Sequence, residues 1–149
     1  MTLYKSLFTI ASRFALIGWI LLICLPTWQF TQTATISIVV ILLCALYSYL
    51  VFLGKRHDDP ENKAKGHFWS LDGVMRLFKS PRVVLAGWIH YLAFDLMVGV
   101  FILNDAAQYN ISHWLLIPCL LLTLMFGPAG LLAYFCLRAV LTGEFSFMQ

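Results

Sequence analysis

Residues 14–54 read FALIGWILLICLPTWQFTQTATISIVVILLCALYSYLVFLG, a run of 41 residues between Arg13 and Lys55 with no Asp, Glu, Lys, Arg or His. About 20 apolar residues cross the ~30 Å hydrocarbon core of a bilayer as a helix, so this run is long enough for two crossings. Its middle, Pro26-Thr27-Trp28-Gln29-Phe30-Thr31-Gln32-Thr33, mixes proline, amides and hydroxyls and breaks the apolar pattern. The stretch predicts a helical hairpin with spans over about 7–26 and 34–54. Arg13 lies in the first of these and has to snorkel back to the surface along its own stem. Trp28 is expected to anchor the turn at the far interface.

The remainder of the chain extends the same pattern. Of 149 residues, 61% are hydrophobic and 11% charged, where soluble domains run near ~45–50% and ~25%. So little charge cannot cover a soluble domain of this size. A disordered chain, a nucleic-acid module and a cytosolic enzyme are all excluded. A third span is predicted over about 83–103. A fourth, over about 113–140, carries Pro118 and the pair Gly127-Pro128, and the latter predicts a kink. Between the two hairpins, residues 55–82 form a polar loop, within which residues 69–78 read as a short amphipathic helix at the membrane surface. The fold class is an all-α integral membrane protein, a single domain built as a four-transmembrane-helix bundle.

Charge orients the bundle. With the N-terminus inside, all ten Lys and Arg residues fall in cytoplasmic regions or at inner span ends, Arg138 among them. The outer loops hold no basic residue, and their one acid is Asp105. This bias predicts both termini in the cytoplasm, with Arg138 snorkelling to headgroups at the inner end of the fourth span. The first apolar stretch lacks the cleavage pattern of a removed signal peptide. Cys24, Cys44, Cys119 and Cys136 all lie in apolar runs without ligand spacing, so neither a disulfide framework nor a metal site is expected.

An ionisable group at mid-bilayer costs about 2.5–3.5 kcal/mol on insertion scales, so each one asks for a reason. The third span holds two, His90 and Asp95. Asp95 shares a helical stripe with Trp88, Tyr91, Gly99 and Ile102. His90 is turned roughly 140° from Asp95 and displaced by ~7.5 Å along the axis. The two cannot pair directly, but they are expected to flank one cavity from two sides. A histidine bonded to a neighbouring helix carbonyl is the plainer account of His90. A second polar group, Asn104, Asp105, Gln108, Asn110 and His113, fits a solvated loop with helix caps, Ser112 being a natural N-cap. No phosphate loop, HExxH, GxSxG or CxxC occurs.

The run Ala86-Gly87-Trp88-Ile89-His90-Tyr91-Leu92-Ala93-Phe94-Asp95-Leu96 resembles the W-[IV]-H-x-L-x-x-D-L signature of the abscisic-acid-deficient-four-like membrane proteins. Ser70-Leu71-Asp72-Gly73-Val74, Leu77-Phe78, Asn104-Asp105, His113, Pro118-Cys119-Leu120 and Phe126-Gly127-Pro128-Ala129-Gly130 fit the same family. The likeness is close over about residues 68–141. Over the N-terminal hairpin it holds in hydropathy and length. Plant members are implicated in forming neoxanthin from violaxanthin, an isomerisation in which an epoxide opens and an allene forms. The resemblance implies a carotenoid or isoprenoid ligand and chemistry without a redox cofactor; such an isomerisation needs a base near the polyene and an acid near the epoxide oxygen, roles that His90 and Asp95 would fill. The resemblance further implies Trp88, Tyr91, Gly99, Asn104, Asp105 and His113 as substrate contacts. A non-enzymatic protein that binds such a lipid or supports membrane assembly is the alternative. A small transporter is a third reading, though it would call for more intramembrane charge. The compact length resembles bacterial members, so a bacterial inner membrane is the expected setting, with membrane lipids as partners and no nucleic acid. Four helices enclose little volume, and a homodimer is expected if a ligand as long as a carotenoid is to be covered.

Overall fold

The computed structural model describes residues 2–57 and 66–143. Residues 58–65 of the polar loop, with Lys63 and Lys65 of the charge pattern, lie outside the described residues. The chain is all-helical. Helix α1 is Thr2–Cys24 and α2 is Thr31–Arg56. A short α3 spans Leu71–Leu77, followed by α4 over Pro81–Gln108 and α5 over His113–Thr142. Among the described residues four helices, all but α3, are long and apolar enough to cross a membrane.

The first hairpin turns more tightly than its polar middle suggests. Thr31, Gln32 and Thr33 belong to α2 rather than to the turn, because the buried Thr31 hydroxyl donates to the Leu25 carbonyl and satisfies a polar group locally. Helix α2 widens into π turns at Thr35–Val40 and Tyr49–Leu53. In the second, the Gly54 N–H reaches the Tyr49 carbonyl. The Leu50 carbonyl, its usual partner in an α-helix, is then open to accept from Arg82 Nη1 at 2.8 Å. Helix α3 appears where the amphipathic stretch predicts it, capped by the Ser70 side chain, which accepts from the Gly73 N–H.

Helix α4 is the axis of the fold. Half of its apolar window is buried, against 28% for α1, 22% for α2 and 33% for α5. Lipid supplies no hydrophobic drive for helix association, so close packing and interhelical hydrogen bonds have to hold the helices together. Ala11, Ala15, Trp19 and Leu22 of α1 meet Leu85, Ile89, Leu92 and Leu96 of α4 in a common core. Gly18 lies against Leu96 and Val39, and Gly99 against Trp19 and Leu22. Each contact is close enough that a longer side chain at the glycine would force the helices apart.

The main departure from expectation is α5. Phe126 leaves helical geometry, with φ −146° and ψ 60°, and the chain reverses there rather than kinking. Gly130 packs directly on the backbone of Thr123, two positions that a straight helix would hold about 10 Å apart. From the bend, the second arm runs back along α4. Phe135 meets Phe101 edge to face with ring centroids 6.1 Å apart, and Arg138 reaches Asp105. Each arm is only about 20–24 Å long at ~1.5 Å per residue, shorter than the ~30 Å apolar core. Helix α5 is bent back on itself at Phe126, with its tip beside the middle of α4. This corrects the placement of Arg138 at the opposite end from Asp105: the two are ion-paired, and Gly143 lies at the α4–α5 turn rather than at the Thr2 end. The reason is local. Pro128 cannot supply an N–H and Gly127 has no side chain, so the helix can be broken and its two halves brought together at that point.

Candidate functional site

Trp88, Tyr91 and Asp95 recur at three- and four-residue spacing along α4 and so lie on one side of it. The Trp88 indole donates to Ser12 Oγ on α1 at 2.9 Å. Its ring stands 5.2 Å from Phe8 and 5.3 Å from Tyr91. The Tyr91 hydroxyl donates to the Leu124 carbonyl of α5 at 3.1 Å. That carbonyl is open because the residue four positions on is Pro128, which has no N–H to offer. The phenol thus satisfies a backbone group that the broken helix leaves bare, as non-helical backbone at membrane depth requires.

Asp95 sits against the start of the returning arm of α5. Gly127 approaches so closely that a Cβ there would overlap the carboxyl group. The first N–H groups of that arm lack helical partners, and this positive end of the half-helix faces the carboxyl. Asp95 is only 7% exposed. Its Oδ2 is buried and has no hydrogen-bond partner among the described residues. Leaving a polar atom unsatisfied in this way costs about 1–3 kcal/mol, and natural proteins rarely do so without a functional or structural reason.

Two apolar clefts flank this point, of about 840 and 700 Å3. They share Trp88 and Tyr91. The first extends along the start of α1 and α4 towards Lys5 and Lys79. The second runs over the α5 tip at Phe126, Gly127 and Pro128. Asp95 stands behind Tyr91 and Gly127, not on the cleft wall itself. A carboxyl group in contact with a phenol that lines an apolar cleft can pass a proton to or from a ligand held there.

The other residues singled out from the sequence lie elsewhere. His90 is exposed on a different face, stacked on Phe94 with centroids 4.4 Å apart and 5.6 Å from the Tyr47 ring. It lines neither cleft, so the expectation of one cavity flanked by His90 and Asp95 does not match the geometry. Gly99 is a packing position against Trp19 and Leu22. Asn104 is exposed. His113 ties α5 to α1 through Nε2 and the Ile23 carbonyl at 2.8 Å.

Asp105 belongs to a second, largely buried cluster. Arg138 Nη1 donates to both of its carboxylate oxygens, at 3.0 and 2.8 Å, and the Tyr134 hydroxyl donates to Oδ2. The Arg138 guanidinium also stands 4.7 Å over the Tyr109 ring and is 1% exposed. Among the described residues, no group of three or more His, Cys, Asp or Glu side chains could hold a metal ion. Sequence reasoning missed the Tyr134–Asp105–Arg138 cluster and the role of the Leu124 and Gly127 backbone. The signals that could have found them are the Gly127-Pro128 pair and the presence of two opposite charges, Asp105 and Arg138, on adjoining apolar segments.

The family model described as ABA DEFICIENT 4-like matches residues 6–134, so the likeness continues through the N-terminal hairpin. The chloroplastic protein ABA DEFICIENT 4 of Arabidopsis thaliana is 24% identical over 144 residues, a stretch that covers 95% of this chain and 64% of that protein. The chain therefore spans just under two thirds of the length of this relative. No solved structure matches it. With a family model matched over most of its length, and the α4 signature and α5 break meeting at one point, the chain belongs to the ABA DEFICIENT 4-like family.

Proposed function

We propose that this protein is a cofactor-independent membrane isomerase of a carotenoid epoxide or related isoprenoid lipid, in violaxanthin-to-neoxanthin type chemistry. One observation carries the reading: a buried carboxyl, Asp95, with one oxygen unpartnered, stands behind a phenol, Tyr91, that lines two apolar clefts. On this reading Tyr91 delivers a proton to the epoxide oxygen and recovers it from Asp95. The C–O bond breaks, leaving an alcohol and a cation on the ring carbon. Loss of a proton from the adjacent polyene carbon forms the allene, and that proton returns to the Asp95 carboxylate through the Tyr91 phenol, which stands between Asp95 and the cleft. Atoms and charge balance over the turnover with one acid–base group. His90, on the opposite face, has no step in this scheme. On this reading the setting is a membrane that holds such lipids, a bacterial inner membrane.

The test is pigment chromatography of a host that accumulates violaxanthin, with and without the protein. Wild type is expected to yield an allenic product, and Asp95→Asn and Tyr91→Phe to lose it, while His90→Gln keeps it. Full activity in Asp95→Asn would overturn the assignment. A second reading, a non-enzymatic isoprenoid-binding or assembly protein, draws on the openness of both clefts to the lipid side, where Phe126 and Trp88 are exposed. It predicts that pigment co-purifies unchanged with wild type and Asp95→Asn alike.

A further inference from the structure

The larger cleft has a feature that the isomerase reading does not use. Its walls are Phe8, Phe78, Val84, Leu85, Trp88 and Tyr91, yet it also includes Lys5 of α1 and Lys79 of the turn before α4. Both lysines are exposed. Among the described residues no acidic side chain lines the cleft, so none of its described walls offsets their charge. Pro81, the first residue of α4, is also part of the wall, which brings the positive end of a long helix to the same mouth. Ser80, the N-cap residue beside it, is 2% exposed, and its hydroxyl has no hydrogen-bond partner among the described residues.

We infer that this cleft binds an anionic glycerophospholipid of the surrounding bilayer, with its phosphate between Lys5 and Lys79 and an acyl chain along Phe8, Trp88 and Tyr91. The charge pattern selects an anion and the apolar wall selects a chain. The occupant comes from the bilayer because the wall opens sideways: Phe8, Phe78, Val84 and Trp88 are all exposed. Gly87 lets the Phe78 ring close in on α4, since a Cβ there would stand 3.1 Å from that ring, and so a larger side chain at this position would push Phe78 into the cleft. The bound lipid would end against Tyr91 and thus border the proposed reaction site. The inference does not depend on turnover there.

The experiment reads lipid retention by native mass spectrometry, after the full chain is released from nanodiscs of phosphatidylcholine doped with phosphatidylglycerol. Wild type is expected to retain phosphatidylglycerol in preference to phosphatidylcholine. Lys5→Gln/Lys79→Gln should lower that preference about tenfold or more, given the attraction of each basic residue for an anionic headgroup. Lys5→Arg/Lys79→Arg should keep it. Gly87→Leu should displace the lipid without altering charge. Asp95→Asn should leave retention unchanged even if it abolishes turnover, which separates failure of this inference from failure of the isomerase reading. Equal retention of the two phospholipids by wild type, or an undiminished preference in the double glutamine variant, would overturn it. So would retention of an added isoprenyl phosphate with no retention of phosphatidylglycerol.

Discussion

Helix α4 carries two carboxyl groups ten residues apart, Asp95 buried and Asp105 partly so, and they are treated in opposite ways. Asp105 is surrounded: both oxygens accept from Arg138, and Tyr134 adds a third donor. Asp95 is left with Oδ2 unpartnered, facing the break in α5 and the Tyr91 phenol. A saturated carboxylate has little left to offer a ligand and holds the returning arm of α5 in place. An unsaturated one costs stability and keeps a site for a proton. The contrast separates architecture from chemistry within a single helix.

The most direct way to break the comparison is to ask whether the arm that Asp105 holds really returns. Single cysteines at Asn110, in the α4–α5 turn, and at Gly143, past the end of α5, should label from the same side of the membrane. The background has to lack Cys24, Cys44 and Cys136, which are exposed. Labelling from opposite sides would mean that α5 crosses straight through. The effect is all or none.

Next in size is the ion pair. Arg138→Met leaves Asp105 buried without its counter-charge, which costs about 3–5 kcal/mol when a buried pair is broken. Arg138→Met/Asp105→Leu should recover most of that loss. Thermal stability in detergent reads both. If the single variant melts with wild type, the cluster holds nothing together.

A smaller effect is expected at the tip. Gly127→Ala drives a methyl group into the Asp95 carboxyl, an overpacking that typically costs about 1–3 kcal/mol. Adding Asp95→Ala should relieve much of it. A double-mutant cycle showing no coupling would separate the two residues.

Much of this was legible in the sequence. The charge-free run over 14–54, the two further apolar runs and the amphipathic stretch ending at Phe78 gave the helix count and class. Helical spacing put Trp88, Tyr91 and Asp95 on one stripe. What periodicity could not give was direction after Phe126. A proline beside a glycine announces a break, but whether the chain then continues or returns depends on partners distant in sequence, namely Asp105 for Arg138 and Tyr91 for the Leu124 carbonyl. For the same reason Arg138 read as a snorkelling residue at the far end. His90 was set beside Asp95 because both are ionisable and close in sequence, yet the helix turns His90 to a face where Phe94 and Tyr47 meet it.

The central claim, that Asp95 is kept for chemistry and Asp105 for structure, is tested most directly by the thermal stability of Asp95→Asn and Asp105→Asn measured side by side in the same detergent. Asp95→Asn should melt within about 1 kcal/mol of wild type, because the oxygen it replaces, Oδ2, has no hydrogen-bond partner among the described residues and the other oxygen can still accept from Tyr91 and Gly127. Asp105→Asn should lose about 3 kcal/mol or more, because it strands a buried guanidinium. The reverse order, with Asp95→Asn the more destabilised of the two, would contradict the account.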